Sequence, residues 1–347
     1  ENVEMEPVDV CPMCDSREST FLFWNYDRLY GLPGKFGTVK CNECQLIRIT
    51  PRPMPSAIGV YYPEDYGAHT TPDSRSESNN GLLGRIKAGV RVSVLSALGY
   101  SESRLKLWQK LLQPLFVRKF YLDATYGYGD RFPRFVKDGK ALEIGCGNCV
   151  YLSFLKKHGW DVLGVDMSQQ AAEKAREAFG IEVLVGQIEE AGLARHSFDY
   201  IHLSHVVEHF FDPLKAMKLV ADLLKPGGTL YMEVPNAGGI RAELSGEYWY
   251  GWDAPRHVVM FSPETSRRLL EASGLTVTNL VTGLSDTSSW EFLYEQEATD
   301  GEIRTDRTKL TREEKVDADK RSKEVQVQFL QNPLGGDYIS CWATKPS

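Results

Sequence analysis

From Lys140 onward the chain alternates short apolar runs with amphipathic ones, and this alternation constrains its fold more than any other feature. "KALEIG" reads as a strand, "YLSFLKKHG" as a helix, "DVLGVD" as a strand, "SQQAAEKAREAFG" as a helix and "IEVLVG" as a strand. The series continues with strand "FDYIHL", helix "HVVEHFFDPLKAMKLVADLL", turn "KPGG" and strand "TLYMEVP". Strands separated by helices pair in parallel and are covered by helices on both faces. Ligands of such sheets bind beyond the carboxyl ends of the strands.

The first of these strands closes with "LEIGCGNC". Gly145 and Gly147 let the backbone pass close to a ligand before the next helix starts. Asp166 ends the second strand, nineteen residues past Gly147, where a carboxylate can accept both hydroxyls of a ribose. A dinucleotide fold wants a further glycine at position 150, and Val150 stands there. Glu143, ahead of the glycines, is placed to meet an amino group rather than a pyrophosphate. The combination implies a ligand with an amino acid at one end and a nucleoside at the other.

The N-terminal quarter carries a different chemistry. Cys11 and Cys14 in "CPMC", and Cys41 and Cys44 in "CNEC", supply four thiolates, the number and softness that a tetrahedral structural zinc requires. Strand-like "STFLFWNYD" and "KFGTVK" lie between the pairs, with "GLPG" turning the chain. The expectation is a zinc ribbon within residues 1–68, its four protein ligands leaving no vacancy for a catalytic water. So uneven a use of seven cysteines is not a secreted disulfide framework and fits a reducing, cytoplasmic compartment.

Between ribbon and sheet, residues 69–120 read as a polar linker followed by basic helices. From 81 to 120, Arg85, Lys87, Arg91, Arg104, Lys106, Lys110, Arg118 and Lys119 face Glu102 alone, eight minus one, or +7, in a chain of net charge −7. "RLKLWQKLLQPLFVRKF" spaces apolar residues helically, with cations between. A connector packed on the next domain is one reading; peripheral contact with an anionic membrane or charged substrate is the other. The acidic total gives no general reason to expect nucleic-acid binding. No apolar run is long enough to span a membrane, and the polar start "ENVEMEPVDV" is not a secretory signal.

"LSHVVEHFFDP" contains His205, Glu208 and His209 in the order H-x-x-E-H, which on a helix would share one face. That order also occurs in zinc peptidases. Here it follows a buried strand and precedes Asp-Pro inside the ordered strand–helix series, which argues against a peptidase.

Taken together, "ALEIGCGNC", "GVDMS", "GQIEE", "FDYIHLSHVVEHFFDP", "LLKPGGTLYMEVPN" and "FSPETSRRLLEASGL" resemble, in that order, the class I S-adenosylmethionine-dependent methyltransferases. The resemblance covers roughly residues 121–347, with "GGDYISCWATKP" similar to the last, antiparallel strand of that fold. It implies an α/β, Rossmann-like sheet of seven strands, mostly parallel. It places methionine near Glu143, Gly145, Cys146 and Gly147, ribose on Asp166, and adenine beside Met167, Gln187 and Ile188. Ser204 and His205 would lie near the cofactor. Two departures stand out: Cys149 replaces a family glycine, and Gln187 replaces an acid, although its amide oxygen can still accept from the adenine amino group.

The ribbon followed by "YYPEDYGAH" is similar to the zinc-containing branch that includes sugar C-methyltransferases. In that branch one histidine follows the fourth strand and another precedes "FS", which implies His209 and His257 as bases for the acceptor's proton. The tyrosine and glutamate that accompany the second histidine there correspond to Ala254 and Arg256, so sugar specificity does not carry over. Tyr248, Trp249, Tyr250 and Trp252 give this loop an aromatic wall instead, and Tyr62 and Tyr66 are candidates to close over the site. The expected function is methyl transfer to a small-molecule acceptor, natural-product, sugar or lipid-like. One alternative is a ubiquinone-type O-methyltransferase with a divalent metal at His205, Glu208 and His209. Another is a non-catalytic, cofactor-binding zinc-ribbon adaptor. Residues 285–330, dense in both charges, read as an insertion between the last two strands, helical at both ends, that could cap the pocket or support a homodimer.

Overall fold

The computed structural model describes residues 3–63, 90, 92–100, 106–124, 131–285, 294 and 310–347. The N-terminal segment is built from β1 (Met5–Glu6), β2 (Ser19–Asn25), β3 (Phe36–Cys41), β4 (Ile47–Thr50) and β5 (Arg52–Pro53). Strands β2, β3 and β4 form an antiparallel meander, and β1 pairs with β5. Each C-x-x-C is a tight knuckle with a left-handed residue just past it: Asp15 at φ 59° and Gln45 at φ 65°. Their amides return to the first cysteine of each pair, Asp15 N to Cys11 O at 3.0 Å and Gln45 N to Cys41 O at 3.1 Å. That backbone closure turns both sulfurs of a pair the same way. The two strands expected between the pairs are β2 and β3.

Helix α1 (Leu107–Ala124) covers the end of the basic stretch, with Leu107, Leu111 and Leu115 exposed. The polar linker and most of 81–105 lie outside the described residues, as does Tyr66. Next come β6 (Lys140–Ile144), α2 (Val150–Lys157), β7 (Asp161–Asp166), α3 (Gln169–Phe179) and β8 (Val183–Val185). Strand β6 pairs in parallel with β7, and β7 with β8. Ala141, Leu142 and Ile144 are buried, the near-continuous apolar run of a strand covered on both faces. Ser168 caps α3 by accepting from Ala171 N, and Gly180 ends that helix at φ 60°, a backbone that favours glycine.

The remainder comprises β9 (Phe198–Ser204), α4 (Pro213–Leu223), β10 (Leu224–Pro235), α5 (Ile240–Ser245), β11 (Val259–Met260), α6 (Pro263–Ala272), β12 (Thr276–Gly283), α7 (Arg312–Gln331) and β13 (Tyr338–Thr344). Hydrogen bonding orders seven strands β12-β13-β10-β9-β6-β7-β8, and β13 runs antiparallel to both of its neighbours. The strand–helix alternation predicts a parallel sheet, and the seven strands with an antiparallel last one are those that the family resemblance implies. The ribbon sheet has a fourth strand that the sequence does not announce: β11 pairs antiparallel with β4, Val259 opposite Arg48 and Met260 opposite Ile47.

One expected helix is shorter than its pattern. The run beginning at His205 is not α-helical there: His205 takes φ 56°, Val207–His209 form a single 3₁₀ turn, and α4 starts only at Pro213. Asp212 caps α4 by accepting from Lys215 N, and Pro213 is favoured in the first turn of a helix and costly in its interior, so the apolar spacing upstream is overridden. In the 285–330 insertion, α7 supplies the expected C-terminal helix, opened by a Thr311–Glu314 capping box. The expected helix at its other end lies outside the described residues. Among the described residues no helix is long and apolar enough to cross a membrane.

Two compact units result. One contains residues 1–66, 192–196 and 203–347; the other contains 67–191 and 197–202.

Candidate active site and cysteine cluster

In the unit built on β6 to β8, the glycine loop folds against the acid that ends β7. Gly147 N donates to Asp166 Oδ2 at 2.7 Å, and Ser168 N donates to Asp166 Oδ1 at 2.9 Å. Gly145 and Gly147 both have positive φ, 68° and 47°. So does Cys149, at φ 55°, which explains why glycine suits that position in the resembled family: a side chain there is held in the left-handed region. Cys146 and Cys149 are both buried, and the hydrogen bond between them pushes the Cys146 thiol up. Glu143 is buried, and burial, with Asp166 nearby, raises its carboxyl well above the ordinary range. Its Oε1 lies 3.0 Å from His202 Nδ1, while Oε2 has no hydrogen-bond partner among the described residues. A buried carboxylate oxygen left over beside two positive-φ glycines fits an incoming ammonium group. At the ends of the next strands Met167 is 67% exposed, Gln187 is exposed and Ile188 is buried. These eight candidates for cofactor contact, from Glu143 to Ile188, therefore share one unit; Ser204 and His205 belong to the other.

In the second unit the expected bases come together. The rings of His209 and His257 are edge to face with centroids 4.8 Å apart. His209 Nδ1 lies 2.9 Å from the Arg256 carbonyl and 3.0 Å from Tyr62 Oη; His257 Nδ1 lies 2.8 Å from the Gly251 carbonyl. A carbonyl oxygen can only accept, so each imidazole donates from Nδ1, and in the neutral form its lone pair is on Nε2. His257 Nε2 is 3.9 Å from Glu208 Oε1 and 3.8 Å from Asp253 Oδ2. Glu208 is 0% exposed, and neither of its oxygens has a hydrogen-bond partner among the described residues. Burial alone would raise Glu208, but His205, His209 and His257 around it hold its carboxyl below the ordinary range. Burial, then His257, depresses His209.

His205 faces elsewhere than the H-x-x-E-H pattern suggests. Its Nδ1 is 3.4 Å from Glu208 Oε1 and its Nε2 is 3.4 Å from Glu233 Oε1. Desolvation opposes its charge, yet these two carboxylates push it up to about 10. Ser204 Oγ donates to the same Glu233 at 3.4 Å. The group of ligand-type side chains that converges is Glu208, His209 and His257, with one potential ligand atom of each within 4.8 Å of the others.

The four ribbon cysteines also converge. Cys11 Sγ is 3.4 Å from Cys44 Sγ, Cys14 Sγ is 3.5 Å from Cys41 Sγ, and the four sulfurs lie within 4.8 Å of one another. Tetrahedral thiolates about 2.3 Å from zinc sit roughly 3.8 Å apart, so the set fits that ion. The hydrogen bond between Cys44 and Cys11 lowers the Cys11 thiol and raises that of Cys44.

Sequence reasoning missed several participants. His202, which binds Glu143 and stacks on Tyr151 at 4.1 Å, had a readable signal, since it alternates with Tyr200 and Ser204 along β9. Asp253, Glu233 and Asp27 had none, because their partners are set by the tertiary fold.

A methyltransferase domain family model matches residues 116–280. The chain is 35% identical over 104 residues to a ubiquinone biosynthesis O-methyltransferase of Methylococcus capsulatus, covering 28% of this chain and 44% of that protein. To the enzyme of the same description from Parvibaculum lavamentivorans it is 28% identical over 137 residues, covering 37% and 54%. The chain thus spans about half the length of the curated relatives it matches. Among solved structures, it is similar to Haemonchus contortus phosphoethanolamine N-methyltransferase 2 in complex with S-adenosyl-L-methionine, at 18% identity and TM-score 0.41, over 65% of this chain and 53% of that one. Residues 116–280 thus match a methyltransferase domain, and the strand order and the glycine loop with its acid support a class I, S-adenosylmethionine-dependent fold for it.

Proposed function

We propose that the protein transfers a methyl group from S-adenosylmethionine to a small-molecule acceptor, with His257 as general base, His209 beside it, and a structural zinc on Cys11, Cys14, Cys41 and Cys44. The observation that carries the cofactor reading is Glu143, whose buried, unpartnered Oε2 accompanies an Asp166 tied to the glycine loop. Glu143 would hold the cofactor's ammonium, Asp166 its ribose hydroxyls, and Gln187 and Ile188 would border its adenine. The sulfonium supplies an electrophilic methyl group; the chain's own task is to orient the acceptor and take its proton.

His257 suits that task better than His209. A proton arriving at His257 Nε2 lies within 4 Å of two carboxylates, Glu208 and Asp253. At His209, burial and the neighbouring His257 disfavour the charged form. The test is an acceptor screen with isotope-labelled cofactor, followed by His257→Ala and His209→Ala. Loss of about a hundredfold or more in turnover for His257→Ala, at unchanged cofactor affinity, is the expected result. Full turnover in that variant would remove His257 as the base.

Glu208 favours a second reading. Glu208, His209 and His257 each offer a ligand atom within 4.8 Å of the others, and the near donor to this carboxylate is His205 Nδ1, 3.4 Å from Oε1. A divalent cation on Glu208, His209 and His257 would satisfy that set and polarise an acceptor hydroxyl, in keeping with the ubiquinone-type relatives. Metal analysis separates the two readings. One zinc per chain and turnover indifferent to added Mg²⁺ or Mn²⁺ supports the base; a second bound metal required for turnover supports the cation.

A further inference from the structure

His257 sits in a strap, residues 253–260, that the N-terminal module grips on both sides. Just before it, Arg256 is 1% exposed and its guanidinium is forked between two carboxylates. Its Nη2 donates to Asp27 Oδ1 at 2.7 Å and to Asp253 Oδ1 at 2.6 Å; its Nη1 donates to Asp27 Oδ2 at 3.1 Å and to the Tyr61 carbonyl at 2.9 Å. The Tyr30 ring lies 5.0 Å from the same guanidinium. Just after His257, Ile49 N donates to the Val258 carbonyl at 3.2 Å, and β11 pairs with β4. Three of the groups around the two imidazoles are part of this arrangement, while the Gly251 carbonyl that accepts from His257 Nδ1 lies two residues before the strap. The carbonyl that receives the His209 Nδ1 proton belongs to Arg256, the carboxylate 3.8 Å from His257 Nε2 belongs to Asp253, and Tyr62 is next in the chain after Tyr61.

Apolar side chains could anchor the strap, and burying an ion pair is not in itself an efficient way to stabilise a fold. What a bidentate fork adds is direction, because it fixes the plane of the guanidinium and the carboxylates on either side of it. Here the direction is that of the Arg256 backbone and the Asp253 carboxylate, and so of both imidazoles. In water a neutral histidine prefers its proton on Nε2; both of these carry it on Nδ1.

We infer that Asp27 is a positioning residue of the acceptor site. Through Arg256 it fixes the 253–257 strap so that His209 and His257 hold their protons on Nδ1 and present bare Nε2 atoms. The ribbon is then part of the site's working geometry as well as a zinc-bound accessory. This rests on the reading that the histidine pair faces the acceptor.

The test needs no acceptor. Full-length, zinc-loaded protein with ¹⁵N-histidine is examined by long-range ¹H–¹⁵N correlation at about pH 8.5, where ordinary imidazoles are neutral, the two signals being assigned from His209→Gln and His257→Gln. Wild type is expected to show Nδ1–H for both. Asp27→Asn keeps the shape and removes the charge; Arg256→Lys keeps the charge and removes the fork. Each should move at least one of the two histidines to Nε2–H or a mixture, while zinc stays at one per chain and S-adenosylmethionine affinity by calorimetry stays within about twofold. Unchanged tautomers in both folded variants, or Nε2–H in wild type, overturn the assignment. So does failure of both variants to fold with zinc, which would make the network a stability element only. If wild type does not bind S-adenosylmethionine, the methyltransferase reading falls instead, and the tautomer result stands on its own.

Discussion

Glu143 and Glu208 are both buried carboxylates, and their neighbours push them in opposite directions. At Glu143 burial dominates and Asp166 adds to it, so the group favours the protonated form. At Glu208 three histidines outweigh burial, so the group is ionised. The difference has a consequence for cofactor binding. An ammonium group pairs with ionised Glu143, so binding must displace a proton held above the ordinary carboxylate range. Affinity for S-adenosylmethionine is therefore expected to rise with pH above the ordinary carboxylate range, with proton release on binding. Calorimetry in two buffers of different ionisation heat measures that release. Glu143→Gln should abolish it and weaken binding by about 1.5–3 kcal/mol, roughly tenfold to a hundredfold. A flat pH profile in wild type would count against Glu143 as the ammonium partner.

At the scale of elements, local chemistry decided what the sequence disclosed. The glycine loop, the acid ending β7 and the two cysteine knuckles depend on residues a few positions apart or on one strand spacing, and each is where the pattern places it. The H-x-x-E-H segment misled because apolar periodicity does not register a left-handed residue. His205 at φ 56° and the Asp212–Pro213 pair confine the helix to Pro213–Leu223. Helix α4 consequently depends on its cap. Asp212→Ala should cost about 1 kcal/mol, within the usual 0.5–2 for a lost N-cap, read as a lower melting temperature. Zinc content and cofactor affinity should not change, since Asp212 is bonded to neither set of residues. A loss below about 0.3 kcal/mol would mean that the first turn is held by packing rather than by its cap.

At the scale of the molecule, the partnership of ribbon and histidines was illegible because it is long-range. Asp27 and Arg256 are 229 residues apart, and β11, two residues long, completes a sheet begun before residue 25. No periodicity or motif encodes such a pairing; it arises only from the fold. It also gives the proposed zinc a specific effect on the site. Four-thiolate zinc sites in small modules contribute on the order of 10 kcal/mol to folding, so stripping the ion should open the knuckles that begin and end the β2–β3 hairpin. Strand β4 leaves the second knuckle and carries β11 on its other edge, so the strap around His257 should loosen with it. Strands β6 and β7 belong to the other compact unit, and their parallel ladder includes none of these residues. Hydrogen exchange with and without a strong chelator distinguishes the outcomes. Protection is expected to fall together in β2, β3, β4 and residues 257–260, while the β6 and β7 amides keep theirs. If exchange quickened only in residues 11–50, the strap would be held by the methyltransferase fold alone, and the pairing of β11 with β4 would be incidental to the site.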